Sequence, residues 1–296
     1  MTPDAPVVLT CAISGVIAGR DQCPAIPYTP QEYAAEARRI VDEGGVQIHI
    51  HARKHDGTPS YEIEDFLAIK DAIRAEVGTN AIINFSTGAV GVPVVKRIAY
   101  LEAGLPEVAA LNMGSMNYAK YSAKRKEFVF EFVFANSFGE IIELLEQMRE
   151  LGVKPEHECF DLGHVGALHP LLDMGLLTRP LQANFVMGVV GGVPATARNL
   201  AAMVDNLPAG DNHWSVIGIG REQWMLVAAA LALGGSVRVG LEDNFYLPDG
   251  QMARSNGDLI AKARQMAEDA GRRLSTASEA RALIGLDRLV REPVRS

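Results

Sequence analysis

Residues 29–53 read TPQEYAAEARRIVDEGGVQIHIHAR, and the order of their signals is helix, stop, strand, polar end. Thr29 is placed to cap a helix, Pro30 suits its first turn, and Glu32 can close a capping box. The helical pattern runs to about Asp42 and ends at Gly44-Gly45. The apolar run 46–51 that follows is a strand, and its last residues carry two histidines and then Arg53.

The same rhythm extends in both directions. A strand at 7–13 precedes this unit, and a helix at 60–76 follows it. Further strands are expected at 81–85, 108–112, 158–162, 183–187, 214–217 and 236–239. Helices are expected at 93–103, 137–151, 168–174, 195–206, 222–233 and 258–271. A last helix at 278–284 lies beyond the repeat. A helix after nearly every strand implies parallel pairing. Eight such units without a break in composition predict one domain over residues 1–296, an α/β fold of the (β/α)8 TIM-barrel kind with an extra C-terminal helix. No G-x-G-x-x-G follows the first strand, which speaks against a dinucleotide site.

Composition narrows the partners. The chain has 296 residues, 48% of them apolar, and a net charge of −8. That balance argues against nucleic acid or an anionic membrane as the main partner. Cys11, Cys23 and Cys159 form no C-x-x-C pair and an odd count, which suits a reducing cytoplasm. The N-terminus lacks the pattern of a signal peptide, and no apolar run is long enough to span a membrane. Residues 114–127 form a long loop after the fourth strand, with Lys120, Lys124, Arg125 and Lys126. They are read as a solvated charged face; the alternative is a contact for cofactor phosphates.

In a barrel of this kind, chemistry sits at the C-terminal ends of the strands. In chain order the polar groups and glycines there are Ser14 and Gly15; His49, His51 and Arg53; Ser86, Thr87 and Gly88; Asn112, Gly114, Ser115 and Asn117; Asp161 and His164; Gly188, Gly191 and Gly192; Arg238, Glu242, Asp243 and Asn244. His49 and His51 are two apart on one strand, so their side chains share a face. They are either hydrogen-bonded core histidines or metal ligands. A closed barrel puts the last strand beside the first, and the first beside the second. Glu242 then comes near both imidazoles as a third ligand, unless it is an ordinary turn carboxylate. Two imidazoles and a carboxylate leave a position for substrate, as in catalytic zinc or in an iron facial triad. Arg238, five residues before Asp243, can hold that carboxylate ionised and oriented as a base, or form a structural ion pair with it. His55, His157, His169 and His213 fall in loop-like sequence and are expected in solvent. Cys11 is expected to be buried packing.

The motifs PYTPQEYAAEA, GGVQIHIHAR, FSTGA, LNMGSMN, FDLGHV, NFVMGVVGG and GGSVRVGLEDNFYLPDG together resemble the β-keto acid cleavage enzyme family. The resemblance runs from Leu9 to about Leu286. It implies a TIM barrel, one zinc per subunit and a homotetramer. It also implies an exchange in which a β-keto acid and acetyl-CoA give acetoacetate and a new acyl-CoA. Matched by position, His49, His51 and Glu242 correspond to zinc ligands, Asp243 to the base, and Arg238 to the arginine that positions it. Ser86 corresponds to a serine of the catalytic network, with Thr87, Gly88, Asn112 and Ser115 beside the substrate. Gly191 and Gly192 would let the pantetheine of CoA pass close to backbone. In the family's amino-substrate enzyme an acidic residue binds an ammonium two positions after the glycine that matches Gly15; here that position is Ile17. An ammonium against Ile17 would be desolvated and unpaired, so a neutral or apolar β-keto acid is expected.

Three other readings use the same residues. One is a metal-dependent hydrolase of the amidohydrolase kind, although H-x-H here falls on the second strand and no lysine ends the fourth. Another is an iron oxygenase. The last is a non-enzymatic barrel in which metal acts as a staple and the mouth binds a ligand.

Overall fold

The structure is a computed structural model that describes residues 5–289. Eight parallel strands close on themselves. They are β1 (Leu9–Ala12), β2 (Gln47–Ile50), β3 (Ile82–Ser86), β4 (Val108–Asn112), β7 (Lys154–Cys159), β8 (Leu181–Met187), β9 (Asn212–Gly218) and β10 (Ser236–Val239), and β1 pairs with both β2 and β10. The expected (β/α)8 barrel is therefore the fold. Among the described residues no helix is long and apolar enough to cross a membrane.

The helices follow the sequence signals closely. α1 (Pro30–Asp42) opens with the capping box of Thr29 and Glu32 and buries Tyr33, Ala37 and Ile40. Each large apolar side chain buried this way contributes roughly 1.5–3 kcal/mol. α2 (Ile63–Val77) and α3 (Val94–Gly104) pack on β3, where Phe66 and Tyr100 both meet Phe85, and α4 (Phe138–Leu151) starts with a second capping box at Ser137 and Glu140. The short α5 (Leu162–Gly166) and α6 (Leu168–Asp173) follow β7. α7 (Ala197–Asp205), α8 (Gln223–Ala232) and α9 (Asn256–Asp269) complete the ring. The extra helix α10 (Ala277–Ile284) packs Ala280 and Ile284 with Val8, Val46, Ile82 and Val108, closing the N-terminal end of the barrel.

Some expectations give way. Residues 114–127 are not a plain loop: β5 (Met116–Ser122) and β6 (Glu127–Phe134) form an antiparallel hairpin. The β-branched and aromatic run EFVFEFVF supplies its second strand. The fifth barrel strand begins at Lys154 rather than Glu158: residues 154–158 pair with β4, and pairing with β8 starts only at Glu156, so Pro155 lies near the strand's start where a proline is tolerated. Asp161 is then not a strand residue but the N-cap of α5, accepting from the His164 N–H at 3.0 Å.

His157 and His213, expected in solvent, are buried, His157 with its ring against the Gln182 carbonyl at 2.9 Å. His55 and His169 are exposed as expected. Cys11 faces outward from the barrel, its thiol on the Asn256 side chain, and burial pushes that thiol up. It is packing, not a nucleophile.

Candidate active site

Register decides which side chains point inward. His49 pairs with Ala12 and Asn84, Arg238 with Thr10 and Ile217, and Glu158 with Asn112 and Asn184. Paired residues in a parallel sheet face the same side, so these groups share the barrel interior.

His49, His51 and Glu242 meet as the strand order requires. His49 Nε2 lies 3.8 Å from one Glu242 oxygen and His51 Nε2 lies 3.6 Å from the other. One donor atom from each of the three falls within 4.8 Å of the others. Gly15 makes this possible: its φ of +54° is left-handed, and a Cβ there would sit 2.6 Å from Glu242 Cγ. Backbone contacts hold the ligand-bearing segments. The Tyr33 hydroxyl donates to the His51 carbonyl at 2.7 Å and shares a 2.6 Å contact with the Ser14 hydroxyl. Asn256 accepts the Leu241 N–H at 3.0 Å, beside Glu242.

The donor set fits a divalent cation. Burial, and then the charge of Arg238, push the His49 imidazole well below its usual range, so it is neutral and able to ligate. Burial by itself would raise Glu242, but Arg238, His51 and His49 outweigh it and hold the carboxyl ionised. One Glu242 oxygen is buried without a hydrogen-bond partner, and a cation between it and the imidazoles would satisfy it.

Arg238 is the hub. It is buried, and its guanidinium donates to Asp243 through Nε and Nη2 at 3.0 Å each, to Glu158 at 2.9 Å, and to Glu242 at 2.6 Å. Three carboxylates around one cation cannot all ionise easily. Burial lifts Asp243 to about 7 against the pull of Arg238, and Glu242 adds to the rise. Burial lifts Glu158 to about 8, opposed by Arg238 and reinforced by Glu156, Glu242 and Asp243. A carboxylate near 7 is suited to exchange protons at neutral pH.

Beneath lies a polar floor that the sequence reading did not single out. Glu156 accepts from Gln47 at 2.6 Å, Asn84 at 2.8 Å and Gln182 at 2.7 Å. A second close set, His49 with Glu156 and Glu158, shares the histidine. The signal existed: E-H-E at 156–158 repeats the i, i+2 spacing of H-I-H.

The other expected residues divide. Ser86, Gly88 and Asn112 come together: the Gly88 N–H donates to the Ser86 hydroxyl at 3.2 Å, and a Cβ on Gly88 would lie 3.2 Å from the Asn112 amide. The Thr87 hydroxyl turns away to the Ala110 carbonyl. Ser115 is exposed and accepts the Asn136 N–H at 2.8 Å, pinning the base of the hairpin. Arg53 is a clamp: it donates to the carbonyls of Gly15, Ser14 and Ala18 and fixes the loop that carries Ile17. Ile17 itself is 56% exposed. His164 accepts the Phe160 N–H at 3.2 Å and braces that turn.

At Gly191 a Cβ would meet the Asn117 carbonyl at 1.9 Å, and at Gly192 the Phe160 carbonyl at 2.7 Å. Backbone already fills the space beside both glycines, so their small size serves to seat the hairpin. Ala119 N–H donating to the Val190 carbonyl at 3.2 Å completes that seat. The hairpin's inner face joins an apolar wall of Met116, Phe134, Phe160, Val186, Val189 and Ile217, with Tyr118 and Phe132 packed on it. Ile217 is the register partner of Arg238, so this wall borders the carboxylate cluster.

A family description, beta-keto acid cleavage enzyme, matches residues 6–286. The 3-keto-5-aminohexanoate cleavage enzyme of Acetoanaerobium sticklandii is 37% identical over 285 residues, 95% of this chain and 99% of that one. The 3,5-dioxohexanoate:acetyl-CoA acetone transferase of Paraburkholderia graminis is 35% identical over 298 residues, 95% of this chain and 96% of that one. In three dimensions the apo structure of ObcA superposes with a TM-score of 0.73 at 21% identity, covering 88% of this chain and 66% of that chain, which is a likeness of fold.

Proposed function

The chain belongs to the beta-keto acid cleavage enzymes, and from that premise we propose that it carries out a zinc-dependent exchange on a neutral or apolar β-keto acid. R–CO–CH2–COO⁻ and acetyl-CoA would give acetoacetate and R–CO–SCoA, so every atom is accounted for without a further reactant. The observation that carries this reading is the convergence of His49, His51 and Glu242 beside the Arg238–Asp243 pair.

His49, His51 and Glu242 would hold the zinc, which when bound supplies Lewis acidity toward a carbonyl oxygen. Asp243 takes the proton from the carbon between ketone and carboxylate, and Arg238 keeps its carboxylate aimed. The resulting enolate attacks the thioester carbonyl. Collapse of that adduct expels CoA as thiolate, which attacks the other ketone; the carbon–carbon bond breaks in a reverse Claisen step that releases the new acyl-CoA, and the acetoacetate enolate left behind takes its proton back from Asp243. The Ser86 hydroxyl, held with Asn112 near by, donates to the oxyanions; one such donor contributes roughly 3 kcal/mol in comparable sites. Ile17 and the wall of Val186, Ile217 and Phe160 support an uncharged substrate tail. The assembly would be a homotetramer.

The test is to incubate the zinc-loaded protein with labelled acetyl-CoA and a panel of β-keto acids. Labelled acetoacetate with the matching acyl-CoA supports the reading. Hydrolysis that proceeds without CoA overturns it in favour of a metal-dependent hydrolase.

A further inference from the structure

The hairpin stands out from a chain whose net charge is −8. Residues 120–126, KYSAKRK, hold four basic side chains and no acid. Arg125 pairs with Glu127 at 3.0 Å. Lys120, Lys124 and Lys126 are exposed and, among the described residues, have no ion-pair partner. An unneutralised basic cluster on an acidic protein is a focus for an anionic ligand.

The geometry connects that cluster to the active site. Tyr118 and Lys120 are two apart on β5, and their cross-strand partners are Phe132 and Phe130. All four side chains therefore share the face that turns toward the barrel mouth. Tyr118 stacks on Phe132 with centroids 5.1 Å apart and meets the edge of Phe160 at 6.4 Å, two residues past Glu158. Phe130 continues the stack outward, 6.1 Å from Phe132. The 7 residues of β5, at about 3.4 Å each, carry the chain roughly 20 Å from the mouth to the basic tip. That span is comparable to an extended phosphopantetheine arm. The face thus runs from carboxylates, across flat aromatic rings, to ammonium groups, in the order that thioester, pantetheine and phosphorylated nucleotide follow in acetyl-CoA.

We propose that the β5–β6 hairpin is the binding arm for the nucleotide end of acetyl-CoA, with Phe130 and Phe132 lining the arm and Lys120, Lys124 and Lys126 holding its phosphates. The proposal rests on the acetyl-CoA-dependent reading above. Ammonium groups recognise phosphate as point charges and need no rigid fork, which suits lysines on an exposed tip.

The test compares acetyl-CoA with S-acetylpantetheine, which keeps the thioester and lacks the nucleotide. The variant is Lys120→Ala/Lys124→Ala/Lys126→Ala in the full chain. The expected result is that the ratio of kcat/KM for acetyl-CoA over S-acetylpantetheine falls by about tenfold or more, through KM. Equilibrium dialysis with CoA itself should show a matching loss of affinity, smaller at high salt. An unchanged ratio, or equal losses with both thioesters, overturns the proposal while wild-type turnover of acetyl-CoA leaves the function reading intact. Wild-type protein that neither binds CoA nor uses acetyl-CoA overturns both.

Discussion

Replacing Glu158 with glutamine should make the metal-free protein more stable, and increasingly so as pH rises. Glu158 is buried and bonded to Arg238 Nη1 at 2.9 Å, and its carboxyl rises from an ordinary 4.5 to about 8. A glutamine keeps the volume and an acceptor for Arg238 but cannot ionise. The native glutamate binds a proton that the unfolded chain releases anywhere between those two values. Stability therefore falls as pH rises through that window and levels off above the folded value. At about 1.4 kcal/mol per unit, the span from about pH 6 to the folded value is worth roughly 3 kcal/mol. The stability difference, Glu158→Gln variant minus wild type, should grow by roughly that amount between about pH 6 and pH 9. Urea unfolding of both proteins in chelator at the two pH values measures it. A difference that stays constant, or shifts toward the wild type at high pH, would refute the argument that burial dominates Arg238 at this carboxylate.

Three further outcomes follow from the site and the core. Glu242→Gln should lose zinc in a chelator competition titration, whereas Asp243→Asn should retain zinc and lose turnover by about 10²-fold or more. Ile17→Glu should shift preference from alkyl toward aminated β-keto acids by roughly tenfold, the worth of one charge-assisted contact; paired kcat/KM values decide it. Burial holds His157 and His213 at about 4 against an ordinary 6.5. Their folded values are depressed, so each contributes stability that is present above the unfolded value and lost as pH falls through the window, roughly 3 kcal/mol apiece. Unfolding midpoints of His157→Gln should therefore depend less on acid over that range than those of the wild type.

The sequence by itself determined the barrel and the identity of its candidate metal ligands. Capping boxes at Thr29 and Ser137, glycine stops and short apolar runs are local signals, written in neighbouring residues. Once eight parallel units close, strand adjacency brings Glu242 to His49 and His51 without any further information. Only the tertiary structure decided the protonation and the shape of the site. Glu158 comes 80 residues before Arg238, and its proton affinity is set by burial and by charges on other strands. The hairpin was hidden because a charged tip conceals aromatic strands whose value lies in what they cover. Likewise Gly191 and Gly192 look like room for a ligand until the Asn117 and Phe160 carbonyls are seen to fill it. Turns and helix ends depend on contacts a few residues apart, whereas burial and long-range charge depend on the whole folded chain, so they become readable only once it has closed.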